Sequence, residues 1–250
     1  MTLGRTLNNL AGLGLLAMLA SGCSSTQITQ AMKDVADHME NGGTPALTNE
    51  DVIAGLKEAL VKGAGHSVDV ASLADGFWKD ARLRIPFPPE AEKVKNTLND
   101  IGMSAQVEKF ELTMNRAAEQ AAKEALPVFT NAIKGMTVAD GFAILRGGDH
   151  AATDFLKEKT TAELTGKFRP IVEKATQQVA LTGYWTPLAS AYNTATLLTG
   201  GKAVDPDLDA YVTQKAIDGL FVLVANEEQK IRKDPLARTT DLLKRVFGAQ

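Results

Sequence analysis

Helix start and stop signals recur along this chain from Leu47 onward, and they constrain its fold more than any other feature. Thr48 with Asp51 has the spacing of a capping box, and apolar residues follow at intervals of three and four. An alternating pattern occurs only at residues 81–85, which predicts an extended segment or a lone short strand. The pattern therefore predicts an all-α fold, a single multi-helix domain of eight or more helices at residues 47–250.

Further signals predict where individual helices begin and end. Helix starts are predicted at Thr48, Pro89, Thr137, Asp149, Thr160, Asp205 and Thr239 or Thr240. Helix ends are predicted at Gly102, Pro127, Gly147 and Asp234, with one long amphipathic helix from Val107 to Pro127. Residues 216–225 are apolar on nearly every side, so the helix that contains them is predicted to be central.

The first 23 residues have the pattern of a bacterial lipoprotein signal. Arg5 precedes roughly ten apolar residues, which are too few to span a membrane and are typical of a signal-peptide core. Small residues then lead to Gly22 and Cys23, which resembles a lipobox cleaved between these two residues. The resemblance implies a diacylglycerol on the Cys23 sulfur and an acyl chain such as palmitate on its amine. Two or three acyl chains anchor a protein stably, since each buried CH₂ contributes about 0.8 kcal/mol.

The chain after the signal divides into a tether and a domain. Residues 1–22 form the predicted signal peptide, and residues 23–46, rich in small and polar residues, form the predicted flexible tether. Ser24 follows Cys23, and the absence of aspartate there favours sorting to the outer membrane. The predicted location is therefore the cell envelope, with the membrane bound through the lipid on Cys23 and the helical domain in the periplasm.

Composition argues against several classes of function. The formal net charge of −3 argues against nucleic acid as a partner, since phosphate binding needs concentrated lysine and arginine. One cysteine and three scattered histidines form no metal-binding pattern, and the sequence contains no phosphate-binding loop or nucleophile elbow. The sequence therefore predicts no metal, no cofactor and no identifiable catalytic residue.

Two groups of polar residues interrupt otherwise apolar helices. The candidate site residues are Asn115, Arg116 and Glu119 in the first group, and Glu228, Arg232 and Arg238 in the second. If the two groups meet, they form a buried arginine–carboxylate network that fixes the register of the helices. A polar pocket for a small ligand and a site for general acid–base catalysis are the open alternatives.

Short motifs spread over most of the chain carry a resemblance to a known family. They are Asp-Gly-Phe at 75–77, Ile-Pro-Phe-Pro at 85–88, Met-Asn-Arg-Ala-Ala-Glu at 114–119, Asp-Gly-Leu-Phe at 218–221 and Ala-Arg-Thr-Thr-Asp-Leu-Leu at 237–243. In these motifs the chain resembles the bacterial family called domain of unknown function 4197 (DUF4197). The resemblance implies a secreted lipoprotein with a helical domain, and it implies no established activity.

Three hypotheses of function follow. The first is a non-enzymatic envelope lipoprotein that binds an envelope protein or a small ligand. The alternative is a periplasmic carrier of lipids or small molecules with an interhelical pocket, for which an apolar cavity above about 300 Å³ is expected. The third is a hydrolase that uses Glu119 or Glu228, for which an unpaired carboxylate beside a nucleophile is expected.

Overall fold

The computed structural model of the protein describes residues 48–178 and 207–234, scattered positions between 183 and 205, and residue 244. This part of the chain contains seven α-helices and the 3-10 helix Pro89–Ala91, and no β-strand. The helices are α1 (Asn49–Ser72), α2 (Glu92–Asp100), α3 (Ser104–Ala122), α4 (Ala125–Lys134), α5 (Val138–Arg146), α6 (Ala151–Thr176) and α7 (Leu208–Lys233). The all-α prediction is therefore confirmed, and the described helices belong to one domain.

Helix α7 is the central helix, as its apolar sequence predicts. It packs against α1, α3 and α6. Val212, Ala216, Ile217 and Leu220 along this helix are completely buried. A helix surrounded by other helices needs apolar residues on most of its faces, which explains the nearly continuous apolar run.

Several predicted boundaries are confirmed because the chemistry that sets them is local. Thr48 caps α1 and Thr137 caps α5; each hydroxyl accepts the backbone N–H of the aspartate three residues later. The aspartate in turn accepts the backbone N–H of the threonine, which completes the capping box. Gly102, with a φ of 85°, follows the end of α2 in a conformation that glycine adopts without strain.

The prediction that Pro127 ends one long helix is wrong. Helix α3 ends at Ala122, and Pro127 lies in the first turn of the separate helix α4. The N–H groups of a first turn have no partner inside the helix, so proline is tolerated there. Its missing N–H instead prevents α3 and α4 from sharing one unbroken hydrogen-bond ladder.

The predicted starts at Thr160 and Asp149 are also wrong. Thr160 is buried inside α6, and its hydroxyl donates to the Leu156 carbonyl at 2.6 Å. A threonine can satisfy its hydroxyl in this way within a helix, so the capping-box pattern is not specific to helix starts. Asp149 pairs with Lys233 at 2.8 Å and makes no cap.

The start of the last described helix is displaced by two residues. Asp207, not Asp205, caps α7, and its carboxylate accepts the Ala210 N–H at 2.9 Å. The helix ends before Asp234, as predicted. The predicted start at Thr239 or Thr240 lies outside the described residues. No helix in the described ranges has the length and hydropathy needed to cross a membrane.

Candidate functional site

Polar residues of the first group hold an irregular segment of the chain against helix α3 through hydrogen bonds. Residues 73–88 connect α1 to the 3-10 helix without regular secondary structure, and we call them the 73–88 segment. Three polar side chains on α3, spaced four residues apart, bind the backbone of this segment: Glu111, Asn115 and Glu119. They are 6%, 0% and 4% exposed. Spacing of four places the three on one face of the helix.

The Asn115 side chain makes with the Ile85 backbone the two hydrogen bonds that a neighbouring strand would make in a sheet. Its Oδ1 accepts the Ile85 N–H at 2.8 Å, and its Nδ2 donates to the Ile85 carbonyl at 2.8 Å. Leu83, Ile85 and Phe87 are buried, whereas the residues between them are exposed. The alternation in this stretch is thus real, but the backbone pairs with a helix side chain instead of a neighbouring strand.

Glu111 holds the end of the same segment. One of its oxygens accepts the Phe87 N–H at 3.3 Å and lies 2.9 Å from the Lys95 ammonium group. The other oxygen accepts from the Arg84 guanidinium group at 3.2 Å. Arg84 also lies 3.9 Å above the ring of Trp78, so cation–π attraction fixes its position. The buried carboxylate is therefore paired with both backbone and cations.

Glu119 and Arg116 hold the beginning of the segment. Glu119 accepts the N–H groups of Phe77 and Trp78 at 3.1 and 3.3 Å. Arg116 joins Glu119, at 2.7 Å, to Asp75, at 2.6 Å. These hydrogen bonds raise the pKa of Arg116, and those from Lys79 and Arg116 lower the pKa of Asp75. Asp75 has a φ of 69°, which aspartate tolerates better than most residues.

Phe77 anchors the segment in the core through a close approach to α7. It is completely buried, and Gly219 of α7 lies beneath its ring. A Cβ atom at position 219 would lie 2.7 Å from the Phe77 ring, which is too close for a carbon contact. Glycine is therefore required at this position for the ring to pack where it does.

The second polar group caps a helix. Glu228, on α7, accepts the backbone N–H groups of Ala152 and Thr153 at the start of α6, at 2.9 and 2.8 Å, and the Thr153 hydroxyl at 2.7 Å. A carboxylate at a helix N-terminus satisfies free N–H groups and complements the helix dipole. Arg232 donates to Glu228 at 2.8 Å and to the Ile144 carbonyl near the end of α5.

The two groups form separate networks in the described part of the chain, since no hydrogen bond or ion pair described there joins them. Asn115, Arg116 and Glu119 contact the 73–88 segment, whereas Glu228 and Arg232 contact α5 and α6. Arg238, Gly22 and Cys23 lie outside the described residues. Among the described residues, the two groups therefore hold two different parts of the fold, and the network that includes Arg238 stays a prediction.

One cavity and two surface grooves in the described part of the chain are relevant to the hypothesis of a ligand pocket. The cavity beside Glu228 and Arg232 has a volume of about 20 Å³, far below that of a small-molecule site. A groove of about 570 Å³ lies along α1 and α7, with Val70 and Leu223 in it and charged residues around them. A second groove, of about 600 Å³, lies between α3 and α6 and includes Arg116. Both large hollows are open and lined by polar as well as apolar side chains.

Sequence reasoning missed Glu111 and the role of Thr153. Glu111 could have been found, because it precedes Asn115 and Glu119 at the same spacing of four on an apolar helix. The contact between Thr153 and Glu228 spans 75 residues of sequence and has no local signal. No group of three or more metal-binding side chains occurs among residues 48–178 and 207–234 or the scattered described positions.

Comparison with known proteins identifies the family. The family model described as Protein of unknown function (DUF4197) matches residues 46–248, which include both polar groups and every described residue. No curated protein and no solved structure matches the chain. Because the family model spans most of its length, the chain belongs to the DUF4197 family.

Proposed function

We propose that this protein is an envelope lipoprotein whose helical domain is a non-enzymatic binding module facing the periplasm. The observation that carries the proposal is that the buried carboxylates are hydrogen-bonded to other parts of the domain. Glu111, Glu119 and Glu228 each accept backbone N–H groups and each pair with arginine. The most unusual groups in the domain therefore maintain its structure.

The same contacts make Glu119 and Glu228 poor candidates for general acid–base catalysis. A general base must reach a proton of the substrate within hydrogen-bond distance. Glu119 is 4% exposed and accepts from Phe77, Trp78 and Arg116. Glu228 is 7% exposed and accepts from two backbone N–H groups, a hydroxyl and a guanidinium group. Neither contact set favours the hydrolase hypothesis.

The form of the hollows favours binding at the surface over a carrier function. A carrier that encloses lipid needs an apolar interhelical cavity of about 300 Å³ or more. The cavity of about 20 Å³ beside Glu228 is too small, and the two larger hollows are open grooves with charged side chains. A rigid helical domain with open grooves suits recognition of a partner or a small ligand.

The lipid anchor in this proposal is supported by the sequence around Cys23. Leu19-Ala-Ser-Gly-Cys23 has small residues directly before the single cysteine. In the proposed protein, residues 23–46 are a flexible tether to the outer membrane and residues 47–250 form a domain of at least eight helices. A long tether lets the domain reach partners in the periplasm while the lipid stays in the membrane.

Substitution of Cys23 tests the anchor. We expect the wild-type protein to incorporate radiolabelled palmitate and to fractionate with membranes. The Cys23→Ser variant should incorporate none, since the thioether requires the sulfur, and it should become soluble or remain an unprocessed precursor. Ser24→Ala is the matched control and should keep label and location. Normal labelling of Cys23→Ser would contradict the proposal.

A further inference from the structure

The groove between α3 and α6 combines positive charge with an apolar surface. Its volume of about 600 Å³ lies within the range of about 300–1,000 Å³ that is typical of ligand sites. Helix α3 contributes Arg116 and Gln120, helix α6 contributes Lys174, and Gln178 follows the end of α6, so both walls of the groove carry polar donors. Ala117, Ile171 and Ala175 also line the groove.

The described residues that line this groove include two cations and no carboxylate. Lys174 is exposed and forms no ion pair among the described residues. Its neighbour Glu173 is engaged with Arg169 at 2.9 Å. Among the described residues, no carboxylate therefore neutralises the positive charge that Lys174 brings to the groove.

Arg116 has donors left for a ligand. Its guanidinium group has five N–H donors and gives one bond to Glu119 and one to Asp75. These two bonds fix the orientation of a side chain that is 42% exposed. Gln120 is also oriented, because its carbonyl oxygen accepts from Lys123 at 2.9 Å and its amide N–H groups stay available.

We propose that this groove binds an organic phosphate: the phosphate group lies between Arg116 and Lys174, and an apolar portion covers Ile171 and Ala175. A tetrahedral phosphate presents oxygens toward both walls, and arginine and lysine are its usual protein partners. Half-buried Ile171 and Ala175, one helical turn apart on α6, give the apolar portion a surface to cover. The inference rests on the proposed binding function and is independent of the lipid anchor.

Calorimetric titration of the full chain, purified in dodecyl maltoside, tests the site. The probe is hexyl phosphate. Inorganic phosphate measures the contribution of charge alone, and hexanol measures the contribution of the apolar chain, including its partitioning into detergent. We expect hexyl phosphate to bind at least tenfold more tightly than either. Dihexanoylphosphatidylglycerol identifies the source: tighter binding than hexyl phosphate indicates a lipid headgroup, and equal or weaker binding indicates a free organic phosphate.

Two lysines on the same helix provide matched variants. Lys174→Glu should weaken hexyl phosphate binding at least tenfold, and Lys174→Gln should weaken it less, since it removes the charge without reversing it. Lys157 is exposed on α6, outside the groove, and Lys157→Glu should stay within twofold of wild type. An equal loss in Lys157→Glu and Lys174→Glu would show nonspecific attraction and overturn the site.

The remaining outcomes separate this inference from the proposed function. Absence of saturable hexyl phosphate binding, in a protein that still incorporates palmitate, would overturn the groove and leave the anchored module standing. Hydrolysis of hexyl phosphate by the purified protein would contradict the non-enzymatic function. Unchanged melting temperatures of the Lys174 variants would show that any loss of affinity arises in the groove.

Discussion

Helix α3 and helix α7 both bury carboxylates, but they use them to hold different kinds of structure. On α3, Glu111, Asn115 and Glu119 bind the 73–88 segment at three places along its length. On α7, the single residue Glu228 binds the N-terminal turn of α6. A helix satisfies its interior backbone groups internally and needs partners only at its ends, whereas an irregular segment needs them wherever its backbone is buried.

The two fastenings also differ in how deeply their arginines are buried. The Arg232 side chain is 12% exposed, and that of Arg116 is 42% exposed. Water screens the attraction between an exposed arginine and its carboxylate, whereas a pair in which both partners are buried is screened much less. The α7 network should therefore be the more sensitive of the two, and three substitutions rank the expected effects.

The largest effect is expected from Glu228→Leu. The substitution leaves the Ala152 and Thr153 N–H groups without their acceptor and removes the buried partner of Arg232. Urea unfolding should show a loss of about 3–5 kcal/mol in the free energy of unfolding. The control is Glu227→Gln, since Glu227 is paired with the exposed Lys230 and should contribute about 1 kcal/mol or less. Equal effects of the two substitutions would contradict the capping role.

A somewhat smaller effect is expected from Asn115→Leu, which keeps the number and branching of the side-chain heavy atoms but loses both bonds to Ile85 and the bond to the Glu111 carbonyl. An unsatisfied buried donor or acceptor costs about 1–3 kcal/mol, so we expect a loss of about 3 kcal/mol. Asn131 is exposed on α4, and Asn131→Leu should change the free energy of unfolding by about 0.5 kcal/mol or less. A loss below about 1 kcal/mol for Asn115→Leu would mean that the segment is held by its apolar residues alone.

The smallest effect is expected from Arg116→Ala. From the sequence alone, a buried pair at this position predicts a loss of several kcal/mol. Because Arg116 is 42% exposed, water screens its attraction to Glu119, and we expect a loss of about 1 kcal/mol. Arg232→Ala in the other network is the comparison and should cost about 3 kcal/mol. Equal losses in the free energy of unfolding for Arg116→Ala and Arg232→Ala would contradict the claim that the exposure of each arginine determines its contribution to stability.

The sequence predicts the parts of this fold that depend on neighbours in the chain. The helix starts at Thr48 and Thr137 and the apolar run of α7 are predictable because the signal for each is complete within a few residues. Alternation at residues 81–85 indicated the buried positions Leu83 and Ile85, but residues 81–83 form a turn in which Ala81 is exposed. The pattern could not show that Asn115, thirty residues from Ile85, supplies the hydrogen bonds of a partner strand. Long-range partners depend on tertiary packing, which no local pattern contains.

The same distinction explains what the sequence could indicate about the site. Polar residues on apolar helices indicated Asn115, Glu119, Glu228 and Arg232, which are buried or half-buried, and Arg116, which is 42% exposed. Each of the five has specific partners. Their partners lie up to 76 residues away for Glu228, so the division into two networks required the structure. The groove at Lys174 had no sequence signal, because a lysine on a helix surface is ordinary.

Hydrogen exchange of the 73–88 segment tests the central claim most directly, namely that the buried polar residues of α3 fasten this segment to the domain. The backbone N–H groups of Phe77 and Ile85 donate to Glu119 and Asn115. We predict that in the wild-type protein they exchange as slowly as those of α7, and that Asn115→Leu accelerates exchange in the segment while α7 stays protected. Fast exchange of these N–H groups in the wild-type protein, or exchange unchanged by Asn115→Leu, would contradict the claim.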